Sequence, residues 1–227
     1  MIQKTILILC FLISTTLFSQ IHEVGVFLGG SNFIGDVGST TYVNPDKLAF
    51  GVLYKWNKSP RHAYRASYNQ SNIFGNDLDS SDPSRKTRGY NFENNIKELS
   101  LGIEFNFFDF NLHNKGAKFT PYVYSGLTLA RNTSLYFVKG IAQADYRQNT
   151  IAIPITLGVK TNLNHRFILG LEVGARYTLR DDIDGSRPSN KNLSSYNFGN
   201  LNNNDWYVFS GATLTYTFGE EPCYCVE

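Results

Sequence analysis

The stretch NTIAIPITLGVKTNL, residues 149–163, places a large apolar residue at every second position over most of its length. This spacing is typical of a β-strand whose two faces meet different surroundings. A soluble antiparallel sheet buries such an apolar face in a core, whereas a membrane barrel turns it towards lipid. The apolar row consists of Ile151, Ile153, Ile155, Leu157 and Val159.

Similar alternation recurs along the chain, which predicts eight strands. They lie at about residues 21–30, 48–57, 62–72, 95–110, 119–130, 149–163, 166–179 and 205–218. The connections alternate in length, with long ones at about 31–47, 73–94, 131–148 and 181–204 and short ones at 58–61, 111–118 and 162–165. Outer-membrane barrels have long extracellular loops and short periplasmic turns.

We therefore expect an all-β fold, an eight-stranded antiparallel up-and-down transmembrane β-barrel over residues 21–218. Its expected location is the cell outer membrane. An even number of strands places both termini in the periplasm. A soluble β-sandwich remains an alternative, because alternation alone also fits that fold.

The face opposite the apolar rows carries charged residues among small ones. A sandwich core would have to bury these charges, whereas a narrow barrel can pair them inside its lumen. We predict a lumen charge network, and a proton or substrate path is the alternative. Its members are Arg65, Glu98, Glu104, Glu172 and Arg176. On the sixth strand, Pro154 lacks a backbone N–H and predicts a bulge or a local opening.

Composition is consistent with a membrane barrel. Charged residues make up 18% of the chain and aromatic residues 15%. An average soluble domain has roughly 25% charged residues. The net charge of +2 gives no general attraction to nucleic acid, so no nucleic-acid partner is expected.

The first twenty residues, MIQKTILILCFLISTTLFSQ, have the features of a secretory signal peptide. Lys4 precedes an apolar run over residues 5–18, and Ser19 and Gln20 follow it. The run is shorter than the ~20 apolar residues that a membrane-spanning helix needs. We predict a signal peptide at residues 1–20, and an N-terminal anchor helix is the alternative.

No combination of residues predicts an enzyme. His22, His62, His113 and His165 lie at strand ends or turns, without metal-ligand spacing and without a Ser–His–acid set. The segment DDIDG at 181–185 lacks the ligand spacing of a calcium loop and is expected to be solvated. We therefore expect no enzymatic activity, metal, cofactor or small-molecule substrate, and a lipid-modifying barrel enzyme is the alternative.

The segment GEEPCYCVE, residues 219–227, follows the last strand and is predicted to be a periplasmic tail. Cys223 and Cys225 are the two cysteines left after removal of the signal peptide. The periplasm is oxidising, and one intervening residue strains a bridge between the two. A disulfide to another chain, free thiols and a strained mutual bridge all remain open.

Two long segments resemble a known family. HEVGVFLGGSNFIGDVG (22–38) followed by LAFGVLYKWNKSPRHAYR (48–65) resembles the start of the PorG proteins of Bacteroidetes, and the resemblance continues through 96–108, 119–127 and the eighth strand. It implies a non-enzymatic structural component of the type IX protein secretion system. Such barrels associate with the periplasmic ring of PorK and PorN subunits, called GldK and GldN in bacteria with gliding motility.

On this resemblance, the partner-binding surface is the periplasmic side of the barrel. The expected contact residues are Lys58, Arg61, His62, His165, Cys223 and Cys225. The expected partners are the ring subunits and outer-membrane lipid. Solvated turns are the alternative for the charged residues, and adhesion through the extracellular loops is the alternative function.

Overall fold

A computed structural model describes residues 21–112, 116–200 and 202–219. The predicted signal peptide, Cys223 and Cys225 lie outside these residues. Eight strands form one closed barrel in chain order, each antiparallel to its neighbours, and β1 closes the barrel against β8. The strands are β1 Ile21–Ile34, β2 Lys47–Asn57, β3 His62–Asn76, β4 Asn91–Asn106, β5 Phe119–Val138, β6 Ile141–Asn162, β7 Phe167–Thr178 and β8 Trp206–Phe218. The predicted eight-stranded up-and-down barrel is confirmed.

The alternation along each strand decides which side chains point outward. On β4, Leu99, Leu101 and Ile103 are exposed on the outer surface, whereas Glu98 and Glu104, at the alternate positions on either side of this run, are buried. The same rule holds around the barrel, so apolar side chains cover its outside. Other members of this outer surface are Val24, Val26, Leu28, Phe50, Val52, Leu127, Leu129, Ile151, Ile153, Ile155, Leu157, Leu171, Val173 and Leu214.

The two ends of the barrel differ in their connections. One end, called the turn end, holds the connections 58–61, 107–118 and 163–166, together with the start of β1 and the end of β8. The other end, called the loop end, holds the connections 35–46, 77–90, 139–140 and 179–205. The longest connections lie at the loop end, as the sequence predicts, but the connection 107–118 at the turn end has 12 residues, as many as 35–46 at the loop end.

The predicted long loop at 131–148 is a second departure, and that prediction is wrong. β5 and β6 continue through it as a hairpin and are joined by the two-residue turn Lys139–Gly140. Both turn residues have positive φ, 51° and 82°, as a type I′ hairpin turn requires. The hairpin extends past the apolar rows, so its outward side chains at this level, such as Arg131 and Arg147, are polar and give no apolar period to recognise.

Pro154 produces a local opening and no bulge. The β5–β6 ladder is interrupted between the pairs Ser125–Ile155 and Thr128–Ala152, and its register is the same on both sides. A proline has no N–H to give to the ladder, which accounts for the gap. The register shift between these strands lies further along, between Thr133 and Leu135.

In the part of the chain that the structure describes, helix is confined to short segments at the loop end. The helix α1, Pro83–Arg88, has Asp82 as its N-cap and ends at Gly89, whose φ is 67°. Short 3-10 segments cover Asp77–Asp79 and Lys191–Tyr196. Among the described residues, no helix is both long enough and apolar enough to cross a membrane.

Candidate functional site

The lumen of the barrel contains eight buried charged side chains. Four are carboxylates and four are cations, so the described strands contribute equal numbers of each sign to the interior. The carboxylates are Glu23, Glu98, Glu104 and Glu172, and the cations are Lys55, Arg65, Lys160 and Arg176.

Glu104 is the centre of this network. The Nζ atom of Lys160 lies 2.6 Å from its Oε1, and the Nζ atom of Lys55 lies 2.7 Å from its Oε2. The Nη1 atom of Arg65 approaches the same carboxylate at 3.6 Å. One fully buried carboxylate on β4 is thus held by cations from β2, β3 and β6.

Two further carboxylates complete the network. Arg65 donates to both oxygens of Glu172 at 2.7 and 2.8 Å, and Tyr122 donates its hydroxyl to the same carboxylate at 2.6 Å. Arg176 donates to Glu98 at 2.9 Å, and Glu98 also accepts from Tyr207 and Asn69. Charge-assisted and bidentate bonds of this kind are the strong ones. The arrangement favours a structural network over a substrate path.

The structure therefore places the five charged residues expected in the lumen together inside the barrel. Three more members, Glu23, Lys55 and Lys160, were not included in the predicted set. Their strand parity could have found them, because each lies on the face opposite an outward apolar row.

The long connections at the loop end fold into one body, here called the loop cap and formed by residues 35–46, 77–90, 179–200 and 202–205. Asp184 accepts backbone N–H bonds from Asp36 at 2.9 Å and from Val37 at 3.1 Å. Asp77 accepts the N–H of Gly38 and pairs with Arg88 at 2.8 Å. These bonds tie the three long connections of the loop end to each other.

Apolar packing joins the loop cap to the part of the lumen nearest the loop end. Val37 and Ile183 from the cap are fully buried in the cluster that contains Phe92 and Phe137 from the strands. The guanidinium of Arg88 lies 4.9 Å from the ring centre of Phe198. The cap therefore covers the loop end of the barrel.

The DDIDG segment is part of this cap, and the expectation of a solvated loop is wrong. Five carboxylates are buried in or beside it, and backbone N–H groups donate hydrogen bonds to Asp184 and Asp205 among them. The five are Asp36, Asp181, Asp182, Asp184 and Asp205. No group of three or more His, Cys, Asp or Glu side chains within the described ranges is arranged to hold a metal ion.

Burial and neighbouring carboxylates raise the pKa of three of these groups, Asp181, Asp184 and Asp205. Burial, together with the charges of Asp184 and Asp36, raises the pKa of Asp181 to about 7. Burial is also the main cause that raises the pKa of Asp184 and the pKa of Asp205. A raised carboxyl pKa means that the folded cap binds protons more tightly than the unfolded chain. The contribution of Asp181 to the stability of the cap is therefore fully present below the ordinary carboxyl pKa and is lost as the pH rises through about 7.

This pH dependence can be measured by amide hydrogen exchange on the detergent-solubilised protein. After correction for intrinsic rates, amides of 179–200 should exchange about tenfold faster at about pH 9 than at about pH 5. Asp181→Asn should remove much of the difference, whereas Asp79→Asn, at an exposed carboxyl in the same cap, should leave it unchanged. Equal corrected rates at both pH values in the wild type would contradict the assignment.

The turn end carries mostly positive charge. In the described part of its three connections, the cations Lys58, Arg61, Lys118 and Arg166 outnumber the single carboxylate, Asp109. Arg61 is paired with Asp109 at 2.5 Å, which leaves it less available to a partner.

The predicted contact residues are distributed over two turns at this end. Lys58, Arg61 and His62 lie at one hairpin, where the Nδ1 of His62 is 3.2 Å from the hydroxyl of Ser59 and its ring packs on Phe105. His165 lies in another turn, exposed, and its backbone oxygen accepts from Thr217. The predicted contacts Cys223 and Cys225 lie outside the described residues.

A family model described as a domain of unknown function, DUF6089, matches residues 3–227. The chain belongs to the DUF6089 family. No curated protein matches this DUF6089 sequence.

Solved structures similar to the DUF6089 barrel are small outer-membrane barrels. Ail, the attachment invasion locus protein of Yersinia pestis, is 10% identical with a TM-score of 0.44, over 88% of this chain and 99% of that one. Neisserial surface protein A is 11% identical with a TM-score of 0.48, over 88% and 97%. The N-terminal barrel domain of Pseudomonas aeruginosa OprF is 13% identical with a TM-score of 0.46, over 88% and 98%. At these identities the similarity concerns the fold alone.

Proposed function

We propose that this protein is a non-enzymatic outer-membrane component of a type IX secretion system. In this role the turn end faces the periplasm and anchors a ring of the PorK and PorN (GldK and GldN) type. The proposal combines the PorG resemblance with one observation, the excess of positive charge at the end where both strand termini lie.

The proposed membrane location is supported by the outer surface of the barrel. Leu101, Leu157 and Leu171 are each more than half exposed, and apolar rows of this kind surround the barrel. A contiguous apolar surface of this extent is rare on a water-soluble monomer. A closed barrel also leaves no open sheet edge, which the interior of a bilayer demands.

The proposed orientation follows the connections. Short turns of outer-membrane barrels lie in the periplasm and long loops lie outside. His22 at the start of β1 stands opposite Phe218 at the end of β8, so the chain enters and leaves the barrel at the turn end. In this orientation residues 1–20 are an export signal, and the tail 219–227 begins beside the periplasmic turns and contributes Cys223 and Cys225 to the interface.

We propose no reaction for this barrel, since three of its four lumen carboxylates, Glu98, Glu104 and Glu172, are held in ion pairs. Their role in the proposal is to keep the barrel rigid, so that the turn end presents fixed positions to a partner. Lys58 and Arg166, exposed in two different turns, are the cations of this surface that we expect to meet acidic residues of the ring.

The docking proposal can be tested by charge reversal. Each rim charge in an interface is worth on the order of 0.5–1 kcal/mol, so Lys58→Glu with Arg166→Glu should weaken binding of purified ring subunits about tenfold. The measurement is the binding isotherm of the ring subunits on the protein in lipid nanodiscs. It includes a series of salt concentrations, because electrostatic contacts weaken as salt is added.

The matched control reverses two lysines at the opposite end. Lys86→Glu with Lys191→Glu makes the same change in net charge on exposed residues of the loop cap and should leave ring binding unaltered. Loss of binding in this control alone would contradict the proposed orientation. Equal ring binding by both variants and the wild type would contradict the electrostatic docking surface, and no ring binding by the wild type would favour adhesion through the loop cap.

A further inference from the structure

Three cationic side chains stand together on the outer wall of the barrel near the loop end. Lys97 on β4 lies directly opposite Arg131 on β5, and Arg147 on β6 lies opposite Thr133, the next outward residue of β5. All three cations are exposed. Like charges in directly opposed positions of a sheet destabilise it unless something neutralises them.

The described part of the chain supplies no such neutralisation. No ion pair of Lys97, Arg131 or Arg147 occurs among the described salt bridges. Glu93, an outward carboxylate of β4, is already bound to Lys47 at 3.1 Å and to Asn72 at 2.8 Å. Asp145, two residues before Arg147, pairs with none of the three cations.

The cations line a depression of about 140 Å³ together with amide and hydroxyl groups. A phosphate oxygen accepts hydrogen bonds from all three of these kinds of group, and the planar guanidinium of arginine matches its geometry in a two-bond contact. The residues that line the depression are Asn95, Lys97, Arg131, Asn132, Thr133 and Arg147.

The position of the depression along the barrel axis indicates the source of such a phosphate. The next outward residue after Lys97 towards the turn end is Leu99, and the next after Arg131 is Leu129, both of which belong to the apolar outer surface. The three cations therefore lie at the edge of the apolar outer surface that is nearest to the loop end. Lipid headgroups lie at this level, and basic residues near an anionic membrane surface gain about 1 kcal/mol each.

We propose that Lys97, Arg131 and Arg147 form a binding site for the phosphate of a lipid headgroup in the leaflet at the loop end. The site rests on the outer-membrane location proposed above, where a phosphorylated glycolipid of the lipid A type supplies this chemistry. It lies on the outer wall at the loop end and is separate from the docking surface at the turn end.

The test uses the full mature protein inserted into phosphatidylcholine vesicles, with lipid A added to the bilayer. Removing two of the three charges, as Lys97→Gln with Arg131→Gln, should weaken lipid A binding at least about tenfold. The readout is the amount of lipid A that remains bound to the protein after extraction into mild detergent, measured by native mass spectrometry. Lipid A without its phosphates should bind the wild type no better than it binds the variant.

The matched control is Lys86→Gln with Lys191→Gln, which removes two exposed lysines from the loop cap and should bind lipid A like the wild type. Equal binding by the wild type and the Lys97→Gln, Arg131→Gln variant would overturn the site. Displacement of lipid A by inorganic phosphate at an equal concentration would also overturn it, in favour of a site for a free anion. Failure of the wild type to insert into vesicles would instead overturn the membrane location and the site with it.

Discussion

Glu104→Ala is expected to destabilise the folded barrel by about 3–5 kcal/mol, the usual cost of removing one partner from a buried ion pair. The substitution leaves Lys55 and Lys160 facing each other in the lumen without their shared carboxylate. It also withdraws a negative charge from Arg65. The measurement is the free energy of unfolding in urea, with the protein in lipid vesicles and the folded fraction read from gel mobility without boiling.

The control for Glu104 lies on the same strand. Glu93→Ala removes a carboxylate that is 46% exposed at its side chain and pairs with Lys47, so it should cost about 0–1 kcal/mol. Similar losses for the two substitutions would mean that the lumen charges are solvated and that the network does not hold the strands together. Glu104→Gln separates charge from shape, because it keeps the size of the side chain and should still cost most of the stability lost in Glu104→Ala.

Ile155→Arg is the second substitution with a large expected effect. Ile155 is the central residue of the outward row on β6 and, in the proposed orientation, lies near the middle of the bilayer. An arginine at the midplane of the lipid-facing surface destabilises a barrel by about 2–4 kcal/mol, and near the interface the cost falls to about 0–1 kcal/mol. The same urea titration in vesicles measures this loss.

Thr161→Arg is the comparison for Ile155→Arg at the edge of the apolar row. It lies on the same face of the same strand, beyond the last apolar residue at the turn end, Val159, and both of its neighbours across the strand pairings are uncharged. We expect its cost to be at least about 2 kcal/mol smaller. If the two arginines cost the same, the apolar row does not face lipid and the barrel is covered by something other than a bilayer.

Much of the barrel could be predicted from local pattern alone. A period of two depends only on neighbouring residues, and the apolar rows, such as that on β6, repeat it often enough to define eight strands. The pattern failed between Ala130 and Thr150, where both faces of the β5–β6 hairpin carry polar residues. The pattern also did not predict that β5 and β6 keep the same register on both sides of Pro154.

The folding of the loop cap could not be predicted from local pattern, because its contacts join distant parts of the chain. Asp184 is buried because it binds backbone N–H groups of Asp36 and Val37, which lie almost 150 residues away along the chain. A polar segment such as 181–185 looks the same in a sequence whether water or another loop satisfies it. In contrast, Lys55 and Lys160 could have been added to the lumen set, because the parity of their strands already places them inside.

The equal number of acids and bases in the lumen has a consequence for the fidelity of assembly. A slip of one residue between two strands exchanges the faces of the slipped strand. A one-residue slip of β4 would move Glu98 and Glu104 away from their partners and onto the outer surface. Lys55 and Lys160 would then remain in the lumen without a carboxylate to pair with. A slip of two residues would keep the faces but separate each acid from its base. Of the many ways to close eight strands, the native closure is therefore the one that pairs Glu98, Glu104 and Glu172 with cations, and incorrectly closed barrels would be disfavoured as they form.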